Sequence, residues 1–344
     1  MKTFRVLLLL ATFGPFAVFA AGPPPPVNLV FDTDIGNDVD DALALGLIHA
    51  LETRGACRLL AVTLTHPDPL AVRYVDAVNT FYGRGDIPIG VNPDAPKTGT
   101  SRFLKLADAR DAGGKLVFPH DVDPAKAPRA LALLRRTLAA AADGSVVIAQ
   151  VGFFTNLAAL LDAPADDITP LAGRELVQRK VKLLSIMAGV FQTVNGDNHK
   201  LEYNVRIAIP AAQHLAENWP TPVVWSGWEI GNAIRFPAQA IERDFGYVAR
   251  HPVPEAYQLY QPTPHERPCY DPTSVLYAVY PDRGYFALSP PGRVKVESDS
   301  FTRFSPKKEG RDRFLIVDRE QAARGRELLA ALVAQPPQGA IAKP

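Results

Sequence analysis

Residues 27–48 read VNLVFDTDIGNDVDDALALGLI, an apolar, β-branched run that breaks into five aspartates and passes at once into an Ala- and Leu-rich stretch. The aspartates are Asp32, Asp34, Asp38, Asp40 and Asp41, with no Lys or Arg among them. Such carboxylates repel one another and resist burial. The run before them has the composition of a buried strand, and the pattern after them predicts a helix over Asp40–Thr53. A hard divalent cation makes the cluster tolerable, because oxygen ligands are what Ca²⁺ and Mg²⁺ bind. The turn through Gly36 lets the chain fold back. Asp40 and Asp41 then fall at a helix N-terminus, where the helix dipole favours negative charge. The plain alternative is a set of capping carboxylates with no ion.

Strand-like runs alternate with helical patterns through the first two-thirds of the chain. Candidate strands are Val27–Phe31, Leu59–Leu64, Ser145–Val151, Val181–Met187 and Val223–Ser226. Helical patterns cover Asp40–Thr53, Pro69–Tyr82, Pro128–Ala142 and Ile209–Glu217. Short apolar strands of this kind suit a parallel sheet covered on both faces. The expected fold is therefore α/β, an open, doubly wound, mostly parallel sheet with flanking helices. Past residue 230 the pattern loosens into a Pro-rich segment, Pro252–Pro272, followed by a helix over Pro272–Tyr280. Strand signals recur at Val294–Val296 and Phe314–Val317, and a helix is predicted over Arg319–Val333. The Gly-, Lys- and Asp-rich stretch Asp94–Pro124 reads as a long surface loop or a lid.

With 344 residues, 47% of them hydrophobic, the chain can bury a substantial core, and residues 27–335 read as a single domain. A formal net charge of +1 leaves no electrostatic footprint for nucleic acid. Met1–Arg5 is a short basic start, Val6–Ala20 is almost wholly apolar, and Val18-Phe19-Ala20 offers small residues for cleavage. Residues 1–20 are thus expected to be a signal peptide, followed by a stiff Pro-rich spacer over 21–26. The mature protein is expected to be periplasmic or secreted, with no attachment to a membrane. Cys57 and Cys269, the two cysteines, are compatible with one bridge or two free thiols.

In open α/β sheets, ligands bind outside the carboxyl ends of the strands. If the strands are placed correctly, that rule gathers the aspartate cluster, Thr65–Asp68, Gly152–Asn156 and Gly189–Asn204. Trp219, Trp225 and Trp228 read as core or rim residues, with pocket lining an alternative for Trp228, which follows a strand end. The seven histidines show no paired zinc spacing; His199 and His265 lie nearest the expected site loops.

The segment DTDIGNDVDDALAL resembles the N-terminal signature of the nucleoside N-ribohydrolases, calcium-dependent enzymes that cut the N-glycosidic bond of ribonucleosides. Three further stretches resemble that family in the right order: Val151-Gly152-Phe153-Phe154-Thr155-Asn156-Leu157, Leu201-Glu202-Tyr203-Asn204-Val205 and Tyr270-Asp271-Pro272. The resemblance implies a Ca²⁺ held by Asp34, Asp41, the Thr155 carbonyl and Asp271, with Asp34 as general base. It implies ribose contacts from Asp40, Glu202 and Asn204, and a nucleoside or related riboside as the bound small molecule. It also implies a homo-oligomer.

This chain departs from the family pattern in several places. Two more residues separate Gly36 from the Asp pair than in the shortest family form, so Asp38 competes with Asp40 for the same role. Asp68 stands where an Asn is expected after the second strand. Asn195 and Asn198 are both candidates for the Asn expected upstream of Glu202. Tyr270 replaces the family histidine, and a Tyr is a poor proton donor near pH 7. Asp32 is expected to be mainly structural. Two rival readings stand beside this one. Asp32-Thr33-Asp34 mimics the Asp-x-Asp of haloacid-dehalogenase-type phosphotransferases. An exported Ca²⁺- and ribose-binding protein without turnover is the non-enzymatic alternative.

Overall fold

The computed structural model of the chain describes residues 24–192 and 201–338. The expected signal peptide, Asn195, Asn198 and His199 lie outside the described residues. A ten-stranded sheet runs through the molecule. Its strands are β1 (Val27–Thr33), β2 (Cys57–Leu64), β3 (Ile89–Val91), β4 (Val146–Gln150) and β5 (Val181–Met187), then β6 (Val223–Ser226), β7 (Ala287–Leu288), β8 (Gly292–Val296), β9 (Thr302–Pro306) and β10 (Asp312–Ile316). The helices of the first half are α1 (Asp40–Thr53), α2 (Pro69–Phe81), α3 (Ala130–Ala140), α4 (Thr155–Asp162) and α5 (Gly173–Lys180). Those of the second half are α6 (Tyr203–Ile207), α7 (Ile209–Asn218), α8 (Trp228–Ala233), α9 (Ala238–Arg243), α10 (Pro252–Tyr260), α11 (Tyr270–Val279) and α12 (Arg319–Val333).

The strands lie in the order β3-β2-β1-β4-β5-β6-β10-β8-β9, with β7 paired to β10. Pairing is parallel from β3 through β6 and on to β10; β7, β8 and β9 add antiparallel partners at that end. The chain steps outward from β1 to β3, then returns to the other side of β1 to lay down β4. That reversal opens a crevice at the carboxyl ends of β1 and β4, where an open α/β sheet binds its ligand.

Successive residues of β1 feed both faces of the sheet. Leu29 and Phe31 join the core built with α1, α2, α10, α11 and α12, while Val30 joins the core built with α3, α4, α5 and α7. All three are fully buried, which explains why the strand reads as a continuous apolar run. Cys57 and Cys269 are buried free thiols. Among the described residues no helix is long and apolar enough to cross a membrane.

Two expectations about the connections change. The stretch from Asp94 to Pro124 holds a 3₁₀ turn, Leu104–Asp108, and buries Phe103, Leu104, Leu106, Ala107 and Phe118 in the core. It is a packed connection, and its charged composition hid those apolar anchors. The Pro-rich segment begins with α10, where Pro252 sits in the first turn and needs no backbone N–H partner. The helix expected over Pro272–Tyr280 starts two residues earlier, so Tyr270 and Asp271 stand in its first turn.

Candidate active site

A cavity of about 530 Å³ opens at the carboxyl ends of the central strands. Asp34, Asp38, Glu202, Asn204, Tyr270 and Asp271 line it, with Trp228, Tyr260, Tyr203 and Arg206 toward the rim. Three loops converge here because the backbones pack closely. At Gly152, after β4, a Cβ would lie 2.5 Å from the Asp34 backbone nitrogen. At Gly36 the backbone has φ +122°, and a Cβ would lie 2.6 Å from Leu104. Any side chain at either position would push the aspartate turn out of place.

Asp32 lies beneath the cavity floor, fully buried, and acts structurally. Its Oδ1 accepts hydrogen bonds from Thr63 Oγ1 at 2.5 Å and Asn156 Nδ2 at 2.7 Å, tying β1 to β2 and α4. Burial pushes its carboxyl up to about 7. Asp34 leaves the strand next, and Asn37 Nδ2 donates to its Oδ2 at 2.7 Å. Burial is also the main reason its carboxyl is pushed up to about 7, with Glu202 and Asp40 adding to the effect.

Asp38, Asp41 and Asp271 present carboxylate oxygens that all lie within 4.8 Å of one another. Burial, reinforced by repulsion from neighbouring aspartates, holds all three carboxyls well above the usual range, and Arg267 offsets part of the rise at Asp38. Asp41 Oδ1 accepts from Thr33 Oγ1, but its buried Oδ2 has no hydrogen-bond partner. Converging buried oxygens with an unmet lone pair suit a hard divalent cation, so the donor set fits such an ion.

Asp40 plays a different part. Its Oδ2 accepts from the Asp271 backbone N–H at 3.1 Å, and its Oδ1 accepts from Arg267 Nε at 2.9 Å. Arg267 Nη2 also pairs with Asp38. Sequence reasoning passed over this cation, which lies more than two hundred residues beyond the aspartates in an irregular loop. Its one visible trace is a lone basic residue four positions before Asp271.

Glu202 caps α6, accepting from the backbone N–H groups of Asn204 at 2.7 Å, Val205 at 3.0 Å and Gly189 at 3.3 Å. Burial raises its carboxyl pKa, and those N–H groups offset part of the rise. Asn204 Nδ2 donates to the carbonyls of Val151 at 2.8 Å and Met187 at 3.2 Å. Both amide hydrogens are thereby spent, leaving Oδ1 as a fixed acceptor.

Four of the expected site residues, Asp40, Asp41, Asp68 and Thr155, stand apart from the cavity lining, Asp40 and Asp41 being fully buried behind it. Asp68 caps α2, accepting from Leu70 N at 2.8 Å. Thr155 opens α4, with its hydroxyl buried and unpartnered. Tyr270 stacks with Trp228 at a centroid distance of 6.0 Å, forming an aromatic wall. Burial keeps the Tyr270 phenol protonated far above neutral pH. Sequence reasoning missed Asn37 and Thr33, whose bonds to Asp34 and Asp41 are local but hidden among the stronger carboxylate signals, and Tyr260 and Arg206, which only the fold brings to the cavity.

The chain matches the model of the inosine-uridine preferring nucleoside hydrolase family over residues 29–329. It belongs to that family. This nucleoside hydrolase is therefore a hydrolase of N-glycosyl bonds, and the phosphotransferase reading of Asp32-Thr33-Asp34 falls away. Its fold is similar to that of a plant nucleoside hydrolase, PpNRh1, at 22% identity, covering 91% of this chain and 100% of that one with a TM-score of 0.67. A purine-preferring ribonucleoside hydrolase from Gardnerella vaginalis is similar at 18% identity, 89% and 99% coverage and a TM-score of 0.65. So is the type III effector XopQ, in a structure with adenosine diphosphate ribose, at 20% identity, 93% and 96% coverage and a TM-score of 0.66. No curated protein matches the chain.

Proposed function

We propose that this hydrolase cleaves the N-glycosidic bond of a ribonucleoside or related riboside with the help of Ca²⁺, releasing base and ribose. The observation that carries the proposal is the convergence of two unlike sets of acceptors in one cavity. Asp34, Asp38 and Asp271 form one set, and Glu202 with the Asn204 Oδ1 the other. The second set accepts hydrogen bonds and has no hydrogen left to give, so it selects ligand groups that donate, as vicinal sugar hydroxyls do.

Asp34, Asp41 and Asp271 would hold the cation, with Asp38 at their side; the ion supplies Lewis acidity toward a water molecule. Asp34, oriented by Asn37, takes the proton of the attacking water as general base. A new C–O bond forms at the anomeric carbon while the C–N bond breaks, and the bonding pair leaves with the base. Glu202, Asn204 and Asp40 grip the sugar hydroxyls, and bonds that tighten in the transition state accelerate the step. Trp228 and Tyr270 flank the departing base. With its phenol proton held so firmly, Tyr270 stacks on the base and leaves its protonation to solvent.

The apolar leader supports export to the periplasm or beyond, and the family resemblance supports a homo-oligomer. A screen for ribose release over nucleosides and other ribosides tests the activity. No release by folded, Ca²⁺-loaded protein would leave the non-catalytic ribose-binding reading in its place.

A further inference from the structure

Arg267 is a cation built into the acidic site from behind. It lies between α10 and α11 and is 12% exposed. Its Nε donates to Asp40 Oδ1 at 2.9 Å, its Nη2 to Asp38 Oδ2, and its Nη1 to Tyr260 Oη at 3.2 Å. The guanidinium carbon lies 5.2 Å from the Tyr260 ring centroid and 5.4 Å from that of Tyr270, within cation–π range. The backbone is pinned as well: its N–H donates to Tyr257 Oη at 2.8 Å, and its carbonyl accepts from Phe236 N at 2.8 Å. Each of the three guanidinium nitrogens is thus engaged, which holds the charge in place. Two of the five clustered aspartates are spoken for. Asp38 is the exception to a clean division, because it also belongs to the converging group with Asp41 and Asp271.

We propose that Arg267 is a positioning residue that divides the acidic cluster. It fixes Asp40 and Asp38 for sugar recognition, leaving Asp34, Asp41 and Asp271 to a cation, with Asp38 the carboxylate for which guanidinium and cation contend. The proposal rests on the riboside and Ca²⁺ reading above. It goes further by naming a residue that sets both sugar affinity and cation affinity without lining the cavity. A permanent positive charge beside Asp38 opposes a second cation there, so its removal strengthens cation binding. Loss of a merely structural arginine would weaken it.

The test titrates Ca²⁺ by calorimetry into the full chain and four variants, alongside steady-state riboside kinetics, with circular dichroism to show that each is folded. R267Q is expected to bind Ca²⁺ about 5-fold more tightly. Its KM should rise about 10-fold with kcat changed less than about 3-fold, because Asp34 is untouched. D38N/R267Q should return Ca²⁺ affinity to the wild-type value while KM stays high, because Asp40 is still unheld. R267K, which keeps the charge and loses the fork, should hold Ca²⁺ affinity near wild type and raise KM, and it carries the test if R267Q fails to fold. D38N alone should leave Arg267 on Asp40 and change KM less than R267Q does. Unchanged or weaker Ca²⁺ binding in R267Q, or an unchanged KM in both R267Q and R267K, overturns the proposal. If wild type turns over no riboside, the functional reading fails, while the Ca²⁺ titrations still decide whether Arg267 contends for Asp38.

Discussion

Helix α1 buries polar groups at both ends, and the two ends handle them differently. In its last turns His49 Nε2 meets Asn79 Oδ1 at 2.9 Å, and its ring stacks on Tyr82 at 4.7 Å. Arg84 reaches Thr53 Oγ1 at 2.9 Å and Glu52 at 3.4 Å. Burial pushes the imidazole pKa down to about 3, so His49 sits there uncharged; nearby His251 is pushed down to about 3 in the same way. Of the side-chain atoms without hydrogen-bond partners there, Asn79 Nδ2, Tyr82 Oη and His251 Nε2 are neutral, and Glu52 Oε2 has the Arg84 guanidinium beside it as counter-charge. At the other end the buried groups are carboxylates, and Asp41 Oδ2 is unmet. A neutral orphan costs about 1–3 kcal/mol, whereas an uncompensated buried charge costs several times more. The first end is tolerable as structure alone. The second asks for a counter-charge that one guanidinium cannot fully supply.

Substitutions should separate the two ends. The largest expected effect is at the acidic end: D34N should lower kcat for riboside hydrolysis by about 10²–10⁴-fold with the fold intact. H49Q should leave kcat within about 3-fold; equal losses in the two variants would erase the contrast. Next comes cation linkage. Saturating Ca²⁺ at about 100 times its Kd should stabilise wild type over chelated protein by about 2.7 kcal/mol, read as a rise in Tm. D41N should lose most of that rise yet melt higher than wild type in chelator, because one repelling carboxylate is gone.

The histidine end should show in pH. A buried histidine whose folded pKa is depressed takes up a proton on unfolding, so its contribution is complete above about 6.5 and is lost as pH falls toward 3. Because the raised carboxyls of the acidic end titrate in the opposite sense, the comparison is between variants: the stability advantage of wild type over H49Q in urea unfolding should shrink by about 2–3 kcal/mol between pH 6.5 and 4.5. A slope identical in H49Q and wild type would contradict that account. The smallest effect is expected at the rim. Y270F should change kcat by less than about 3-fold, because the phenol gives up no proton in the reaction. A drop of 100-fold would make Tyr270 the leaving-group acid.

Much of this was legible in the sequence because it is local. β1, the aspartate turn and α1 announce themselves through an apolar run, Gly36 and a helical pattern, and α12 through a helical pattern over the same residues. The fold class followed from the alternation of such units. What stayed hidden depends on closure of the tertiary structure. Arg267 gains its meaning only when the loop after α10 folds over the start of α1, and the apolar anchors Phe103 and Phe118 are diluted by charged neighbours. Asp68 is ambiguous in the sequence because one carboxylate after a strand suits a sugar contact and a helix cap equally well; the fold shows the cap. The motif singled out Glu202 and Asn204, yet the reason they present only acceptors to the cavity is their backbone bonding.

If the acidic end of α1 serves riboside hydrolysis through a bound cation, turnover depends on that cation. The most direct measurement is the release of ribose and free base from a nucleoside panel by one preparation, assayed with Ca²⁺, after chelation, and after Ca²⁺ is restored. Ribose and base in equal amounts from at least one riboside, lost on chelation and recovered with Ca²⁺, is the predicted result. No ribose from the folded, Ca²⁺-loaded protein, or release indifferent to chelation, would contradict it.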